Sequence, residues 1–205
     1  MKAIVAIVTY AASIKDDEFN SYLQCLKIFS NQLIALICPQ TLDTSFYKKL
    51  ADEYKICFIE MRFPNIYFQN VASYNKLMLE PKFYRRFIDY DYILIYQLDA
   101  WVFRDELSFW CNKGYSYVGA PFFNDRGEMF PFAGNGGFSL RRVQDFIELL
   151  EGSLQPVKWN YDFMKIQLPA KTPFRARIKQ LLHRIEMCVC RLSSKFYCRF
   201  MPEHE

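Results

Sequence analysis

The stretch Tyr92-Ile-Leu-Ile-Tyr-Gln-Leu-Asp99-Ala-Trp101 decides how the rest of the chain is interpreted. Six of the seven residues from Tyr92 to Leu98 are apolar or aromatic, and a carboxylate follows them. Such a run is typical of a strand that is buried on both faces of a sheet. A carboxylate is costly to bury, and ligands of open α/β sheets bind at the carboxyl ends of the strands. On its position alone, Asp99 is either a ligand-binding residue or a structural cap of a turn.

A glycine-rich block, Phe132-Ala-Gly-Asn-Gly-Gly-Phe-Ser-Leu-Arg141, follows further along the chain. It has neither the lysine and spacing of a phosphate-binding loop nor the G-x-G-x-x-G pattern of a dinucleotide-binding turn. Its glycines either let the main chain approach a ligand or simply form a tight turn. We expect the block to be a turn that faces Asp99 across one site and leads into a helix over 141–150, which Gly152 ends.

Upstream of Asp99 the apolar residues alternate between strand-like and helix-like spacing, which predicts a parallel, right-handed α/β sheet flanked by helices. The predicted strands cover residues 3–9, 33–38 (closed by Pro39), 56–61 and 115–121. The predicted helices begin at Asp16 or Asp17, at Thr44 or Ser45, near Asn70 and at Asp105. The apolar face of the helix near Asn70 continues through Phe83, Phe87 and Ile88.

Length and composition indicate a single α/β domain over residues 1–170, followed by a basic helical tail over 171–205. The net charge of +4 is too small to indicate nucleic-acid binding. The chain has seven cysteines, an odd number, and Cys25, Cys38 and Cys57 lie inside apolar runs, which predicts reduced, buried thiols in a cytoplasmic protein. The apolar start of the chain is too short for a signal sequence or a membrane span.

The tail combines positive charge with an apolar stripe. Between residues 171 and 199, eight lysines and arginines accompany a single acid, Glu186. A helix of this kind lies on an anionic membrane surface or packs its stripe against its own domain. We expect packing, with peripheral contact at the inner face of the membrane as the alternative. The stripe consists of Ile178, Leu181, Leu182, Ile185, Val189, Leu192 and Phe196.

Three segments together resemble a family: Gln97-Leu-Asp99-Ala-Trp101, Gly119-Ala-Pro121 and Gly134-Asn-Gly-Gly-Phe-Ser-Leu-Arg141. They look like a little-characterised bacterial family of predicted glycosyltransferases with the GT-A fold, close to enzymes of polysaccharide synthesis. The resemblance implies a nucleotide-sugar donor, a glycan or lipid-linked acceptor, and Mn²⁺ or Mg²⁺ bound with the diphosphate. Asp99 corresponds to the first position of an Asp-x-Asp-like motif, and Trp101 occupies its last position.

The resemblance also implies roles for individual residues. The metal ligands are Asp99 and His204, and the candidate catalytic bases are Glu203, Glu205, Asp125 and Glu128. The expected donor-binding residues are Thr9, Tyr10, Tyr74, Asn75, Lys76, Gln97, Asp99, Ala100 and Trp101. Tyr10 and Tyr74 are included because a tyrosine can stack on a base or hydrogen-bond it, and an ordinary structural role is the alternative for each. The sugar and acceptor cleft contains Gly134, Asn135, Gly136, Gly137 and Phe138.

Two other functions compete with a glycosyltransferase. Trp101 and the short C-terminal end favour a non-catalytic relative that binds a nucleotide or sugar and acts as a partner subunit. A nucleotidyltransferase would be expected to carry a glycine-rich, basic loop directly after the first strand. The segment Thr9-Tyr-Ala-Ala-Ser-Ile-Lys15 is a poor version of such a loop.

Overall fold

A mixed sheet of six strands forms the centre of the protein, in the order β3-β2-β1-β4-β6-β5. The computed structural model describes residues 1–14, 16–121, 123, 127 and 134–152. The strands are β1 (Ala3–Val8), β2 (Ile34–Pro39), β3 (Phe58–Phe63), β4 (Tyr92–Gln97), β5 (Tyr117–Ala120) and β6 (Asn135–Arg142). The pairs β1–β2, β1–β4 and β2–β3 are parallel, whereas β6 runs antiparallel to both β4 and β5.

Helices cover both faces of this sheet. One face packs against α1 (Asp16–Ile28), α2 (Ser45–Glu53) and α5 (Leu107–Asn112). The other face packs against α3 (Val71–Met78), α4 (Pro81–Arg85) and α6 (Val143–Leu150), and a 3-10 helix covers Asn65–Phe68. The predicted α/β class, with a mostly parallel sheet flanked by helices, is confirmed.

The central strand β4 has the double burial that its sequence predicts. Leu94 and Tyr96 lie in the core beneath α1 and α5, whereas Ile93 and Ile95 lie in the core beneath α4 and α6. Successive side chains of a strand point to opposite faces, so an unbroken apolar run fits a strand with helices on both sides. The polar character begins only at Gln97, which is half-buried at the carboxyl end of the strand.

The glycine-rich block is not the turn that the sequence predicts. Asn135–Arg142 is strand β6, which lies between β4 and β5, and the helix begins at Val143 rather than Arg141. The physical reason is the alternation of residues 138–141: Phe138 and Leu140 face one core, and Arg141 faces the other. Gly152, with a φ of +77°, follows the end of α6 as predicted.

Several boundaries and burials also differ from the prediction. Strand β3 begins at Phe58 instead of residue 56, because Lys55 adopts a left-handed φ of 55° that turns the chain after α2. Pro39 is the last residue of β2 rather than a stop before it, and α5 begins at Leu107. Ile88, expected on an apolar face, is 55% exposed.

The cysteine prediction is confirmed in part. Cys25, Cys38 and Cys111 are buried free thiols, but Cys57 is exposed at the start of β3. Burial raises the pKa of the Cys38 thiol, which keeps it protonated and unreactive. Within the described ranges no helix is long and apolar enough to cross a membrane. The predicted tail over 171–205 lies outside the described residues.

Helix α3 begins with a reciprocal cap. The Asn70 side chain accepts a hydrogen bond from the Ser73 amide at 3.0 Å, and the Ser73 hydroxyl accepts one from the Asn70 amide at 3.1 Å. Such caps satisfy amides that have no partner within the helix. This cap sets the start of the helix that carries Tyr74.

We predict that Asn70→Ala lowers the free energy of unfolding by about 1 kcal/mol, the usual cost of removing an asparagine cap. Gln69→Ala is the matched control, because its exposed side chain immediately precedes the cap. Urea denaturation followed by circular dichroism measures both. Equal stability of the two variants would show that the cap contributes nothing.

Candidate functional site

The carboxyl ends of β1 and β4 meet near the centre of the sheet. The two strands are parallel neighbours, with Val8 opposite Gln97. The chain continues from β1 to β2 on one side and from β4 to β5 and β6 on the other. In open α/β sheets, ligands bind in the crevice that forms where the strand order reverses in this way. The loops that follow Val8 and Gln97 are therefore the expected walls of a ligand site.

The loop after β1 is held by a buried hydroxyl network and presents an aromatic ring. Thr9 is buried, and its Oγ1 is hydrogen-bonded to the Tyr47 hydroxyl at 2.7 Å. The Tyr47 hydroxyl donates to the Ala11 carbonyl at 2.8 Å, which fixes the path of the loop. The Tyr10 side chain is 71% exposed. Thr9 thus has a structural contact, whereas the Tyr10 ring is accessible for stacking on a ligand.

The loop after β4 is held by three hydrogen bonds, two from α1 and one from β4 itself. The Ser21 hydroxyl donates to the Ala100 carbonyl at 2.6 Å, and the Tyr96 hydroxyl donates to the same oxygen at 3.1 Å. The Gln24 amide donates to the Val102 carbonyl at 3.0 Å. Burial raises the pKa of Tyr96 to about 12, so its hydroxyl stays protonated and can donate at neutral pH. The loop therefore has a defined position relative to the helix.

Asp99 and Trp101 project from this loop towards solvent. The Asp99 side chain is exposed, and Trp101 is 47% exposed. A groove of about 460 Å³ separates the loop from α1. Polar and charged side chains line it together with the indole of Trp101: Asp17, Asn20, Gln24, Lys27 and Asp99. The carboxylate that follows the central strand is thus available to a ligand.

The glycines of β6 are required by close packing. A Cβ on Gly137 would lie 2.4 Å from Oε1 of Gln97, the last residue of β4. A Cβ on Gly134 would lie 1.9 Å from the carbonyl oxygen of Ala120 in β5. The Gly137 amide donates to Asn135 Oδ1 at 2.8 Å. The result is a main-chain surface that carries only the Asn135 side chain and packs against Gln97 at the end of β4.

A polar cluster beneath this surface was missed by the sequence analysis. Arg141 is buried, with Tyr74, Tyr84 and Tyr117 around it. Burial raises the pKa of Tyr74, although the nearby Arg141 and Gln97 oppose the rise, so Tyr74 is a neutral hydroxyl, and it has no hydrogen-bond partner among the described residues. The available signal was the alternation of Ser139 and Arg141 with apolar residues, which is a strand pattern rather than the start of a helix.

Most of the predicted donor-binding residues lie at or near the carboxyl ends of β1 and β4. Asn75 and Lys76 are exposed on α3, next to Tyr74. The Phe138 ring instead packs edge-to-face on Tyr96 at 5.6 Å, in the core beneath α1. The residues at or beside the edge are Thr9, Tyr10, Tyr74, Gln97, Asp99, Ala100, Trp101, Gly134, Asn135, Gly136 and Gly137.

The remaining predicted residues lie outside the part of the chain that the structure describes. They are the candidate bases Asp125, Glu128, Glu203 and Glu205, and the candidate metal ligand His204. Among the described residues, no group of three or more histidine, cysteine, aspartate or glutamate side chains is placed to hold a metal ion. Their roles remain predictions from the sequence.

A family model described as "Protein of unknown function (DUF5672)" matches residues 58–166. The chain belongs to this family. The matched region includes both Asp99 and the glycine-rich block, so the two parts of the candidate site lie within it. A comparison with curated proteins found no match.

The fold is distantly similar to that of several solved structures. Core-mannan synthase A (CmsA/Ktr4) of Aspergillus fumigatus, in its Mn/GDP form, is 12% identical, with 61% of this chain and 43% of that chain covered and a TM-score of 0.45. TarS of S. aureus in complex with UDP-GlcNAc is 10% identical, with 75% and 47% covered and a TM-score of 0.45. PaToxG glycosyltransferase is 9% identical, with 100% and 80% covered and a TM-score of 0.37. The chain spans less than half the length of the first two.

We predict that Gly134→Ala lowers the free energy of unfolding by about 1–3 kcal/mol, the usual range for overpacking. The added methyl group would meet the main chain of Gly119 and Ala120 and force β5 and β6 apart. In the control, Gly136→Ala, the nearest atom is Arg141 Nη2 at 3.1 Å, so a far smaller displacement relieves the contact than the 1.9 Å approach at Gly134 requires. Chemical denaturation should therefore rank Gly134→Ala as clearly less stable, and the reverse order would contradict the packing argument.

Proposed function

We propose that this protein is a GT-A-like glycosyltransferase that moves a sugar from a nucleotide-diphosphate donor to a glycan or lipid-linked acceptor. One observation carries the proposal: Asp99 is exposed just after the central strand, and Gln97, the last residue of that strand, contacts Gly137 in the glycine-rich part of the neighbouring strand β6. A carboxylate suits the charged part of such a donor through a divalent cation, and a bare main chain lets a sugar ring lie close to it. The resemblance of the Asp99 and glycine-rich segments to predicted glycosyltransferases supports the same function.

The two loops at the strand ends supply the surroundings of the donor. The exposed Tyr10 ring can stack on the base, because every nucleobase presents a flat π-face. The Gln97 amide and the Asn135 side chain lie next to the glycines and can hydrogen-bond sugar hydroxyls. Asp99 lies two residues after Gln97, and in this proposal the diphosphate lies beside its carboxylate.

The described residues fit a metal that arrives with the diphosphate better than a resident ion. Mg²⁺ and similar hard cations are often held by one or two carboxylates together with substrate phosphates and water. Asp99 alone meets this minimum, whereas no cluster of three ligands exists among the described residues. Such an ion, when bound, neutralises the charge that develops on the leaving diphosphate.

A non-catalytic protein that binds a nucleotide or sugar is the second candidate. The observation that favours it is Trp101, which stands where an ordinary Asp-x-Asp motif has its second carboxylate. This function predicts ligand binding without turnover and without dependence on a metal. An assay for release of the nucleoside diphosphate separates the two candidates.

We predict that the full chain releases a nucleoside diphosphate from at least one member of a panel of UDP-, GDP- and dTDP-sugars, and that Mn²⁺ or Mg²⁺ increases the rate. Asp99→Asn should lower the metal-supported rate by at least about tenfold, since the metal would lose its charged ligand. A coupled assay for diphosphate release, with and without EDTA, measures the effect.

Asp89→Asn is the control, because Asp89 is an exposed aspartate that precedes β4 and so lies near the amino end of the strand that Asp99 follows. Its rate should equal that of the parent protein. An Asp99→Asn variant as active as the parent would remove the metal role from Asp99. Binding of a nucleotide sugar by calorimetry, with no release under any condition, would favour the non-catalytic candidate.

A further inference from the structure

Arg141 is a buried cation without a carboxylate partner among the described residues. Its side chain belongs to β6 and the residue is 5% exposed. A buried charge is costly unless other groups replace the water that it loses. The arrangement around this guanidinium therefore needs a reason beyond simple packing.

Neutral dipoles and aromatic rings surround the guanidinium. Its Nε donates to the Ser139 hydroxyl at 3.0 Å, its Nη1 donates to the Tyr84 hydroxyl, and its Nη2 donates to the Gly136 carbonyl at 3.0 Å. The rings of Tyr117 and Phe146 lie 5.8 and 5.4 Å from its central carbon. One planar side chain thus joins the glycine-rich strand to the helical layer below it.

Tyr84 is itself fixed, which makes this connection rigid. Its hydroxyl donates to the carbonyl of Met78, the last residue of α3, at 2.9 Å. Burial raises the pKa of Tyr84, although Arg141 opposes the rise, so the hydroxyl remains protonated and can donate that bond. Arg141 is therefore tied to both α4 and the end of α3.

The glycine-rich segment depends on these side chains because regular strand pairing ends before it. The pairing of β6 with β4 ends at Phe138, opposite Tyr96. On the other side, the pairing with β5 has a register shift between Gly119 and Ala120, next to Asn135. The main chain of residues 134–137 therefore lies beyond the regular ladder with β4.

Side chains replace the missing ladder bonds at the glycines. The Gly136 carbonyl accepts from Arg141 and also from the Ser139 hydroxyl at 2.8 Å. The Gly134 carbonyl accepts from the Tyr117 hydroxyl at 3.0 Å. Since glycine has the greatest conformational freedom of any residue, a glycine-rich strand end without such bonds would occupy many positions.

We propose that Arg141 is a positioning residue that holds the main chain of residues 134–137 in place as a wall of the sugar-binding site. That Arg141 fixes the main chain of residues 134–137 is the positional part of the proposal, and it rests on the contacts above. That this segment matters for turnover rests on the proposed function. Lysine keeps the charge but has no planar fork, so it cannot reach Ser139, Tyr84 and Gly136 together. Methionine keeps much of the volume and loses both charge and hydrogen bonds.

Hydrogen exchange of the full chain, read by mass spectrometry on peptides or by NMR, tests the positional part directly. In Arg141→Lys the amides of residues 136–138 should exchange on the order of five- to tenfold faster, which corresponds to the loss of one buried hydrogen bond. The amides of β1 and β2 should keep the parent rates. Arg142→Lys is the matched control, because Arg142 is the next residue of β6 and, within the described part of the chain, its side chain makes a long ion pair with Asp145 at 3.9 Å and no contact with residues 134–137.

Two further variants keep the proposal testable if Arg141→Lys fails to fold. Ser139→Ala removes one of the two donors to the Gly136 carbonyl and should give a smaller local increase in exchange. Tyr84→Phe removes the hydroxyl that accepts the hydrogen bond from Arg141 Nη1 and should give a similar local increase in exchange. An equal rise of exchange in β1, β2 and β6 of these variants would show that Arg141 merely supports the core and would overturn the proposal, as would unchanged exchange at 136–138.

Turnover supplies a second readout once an active nucleotide sugar is known. Arg141→Lys should lower kcat by about tenfold and leave KM for that donor within about threefold, because a displaced wall affects the orientation of the sugar more than the binding of the nucleotide. Parent-like kcat despite faster exchange would show that the wall is not used in catalysis. If the parent protein has no activity, the proposed function fails and the exchange experiment alone decides the role of Arg141.

Discussion

The burial of β4 on both faces is the constraint on which the rest of the structure depends. With cores above and below it, the strand can carry only apolar side chains until it leaves the sheet. The first carboxylate after the strand is then expected at the carboxyl end of the strand, because a carboxylate without hydrogen-bond donors or a cation around it is too costly to bury in either core. Asp99 occupies this position, and the neighbouring parallel strand β1 ends at the same level. The place of the candidate site therefore follows from the burial of its central strand.

Two sets of hydrogen bonds give the candidate site at the carboxyl end of β4 a defined shape. On the α1 side, hydroxyl and amide groups of Ser21, Tyr96 and Gln24 hold the loop that carries Asp99. On the α3 and α4 side, the buried guanidinium of Arg141 holds the carbonyl of Gly136. In both cases buried or half-buried side chains donate to main-chain carbonyls of the candidate site. The outer surface can then consist of main chain and a few exposed side chains without losing its position.

The glycine-rich segment shows why this support matters. Gly134 and Gly137 let three neighbouring strand ends approach closely, and this closeness leaves no room for side chains that would fix the main chain by packing. The hydrogen bonds from Arg141, Ser139 and Tyr117 take over that task. The partly exposed glycine-rich segment is therefore supported by dense polar contacts from the side chains beneath it.

The sequence by itself determined the α/β class, the double burial of β4 and the exposure of Asp99. These features follow from the spacing of apolar residues along the chain and from the negative charge of Asp99. It also predicted the helix that begins at Asn70 and the end of α6 near Gly152. Only the tertiary structure decided that Asn135–Arg142 is a strand, that β6 is antiparallel to its neighbours, and that Arg141 lies beneath the glycines. Glycine carries no apolar pattern, and a strand that pairs with distant partners is defined by those partners. A buried arginine and a solvated one look the same in a sequence, since the hydrogen bonds that make burial tolerable come from residues far away along the chain.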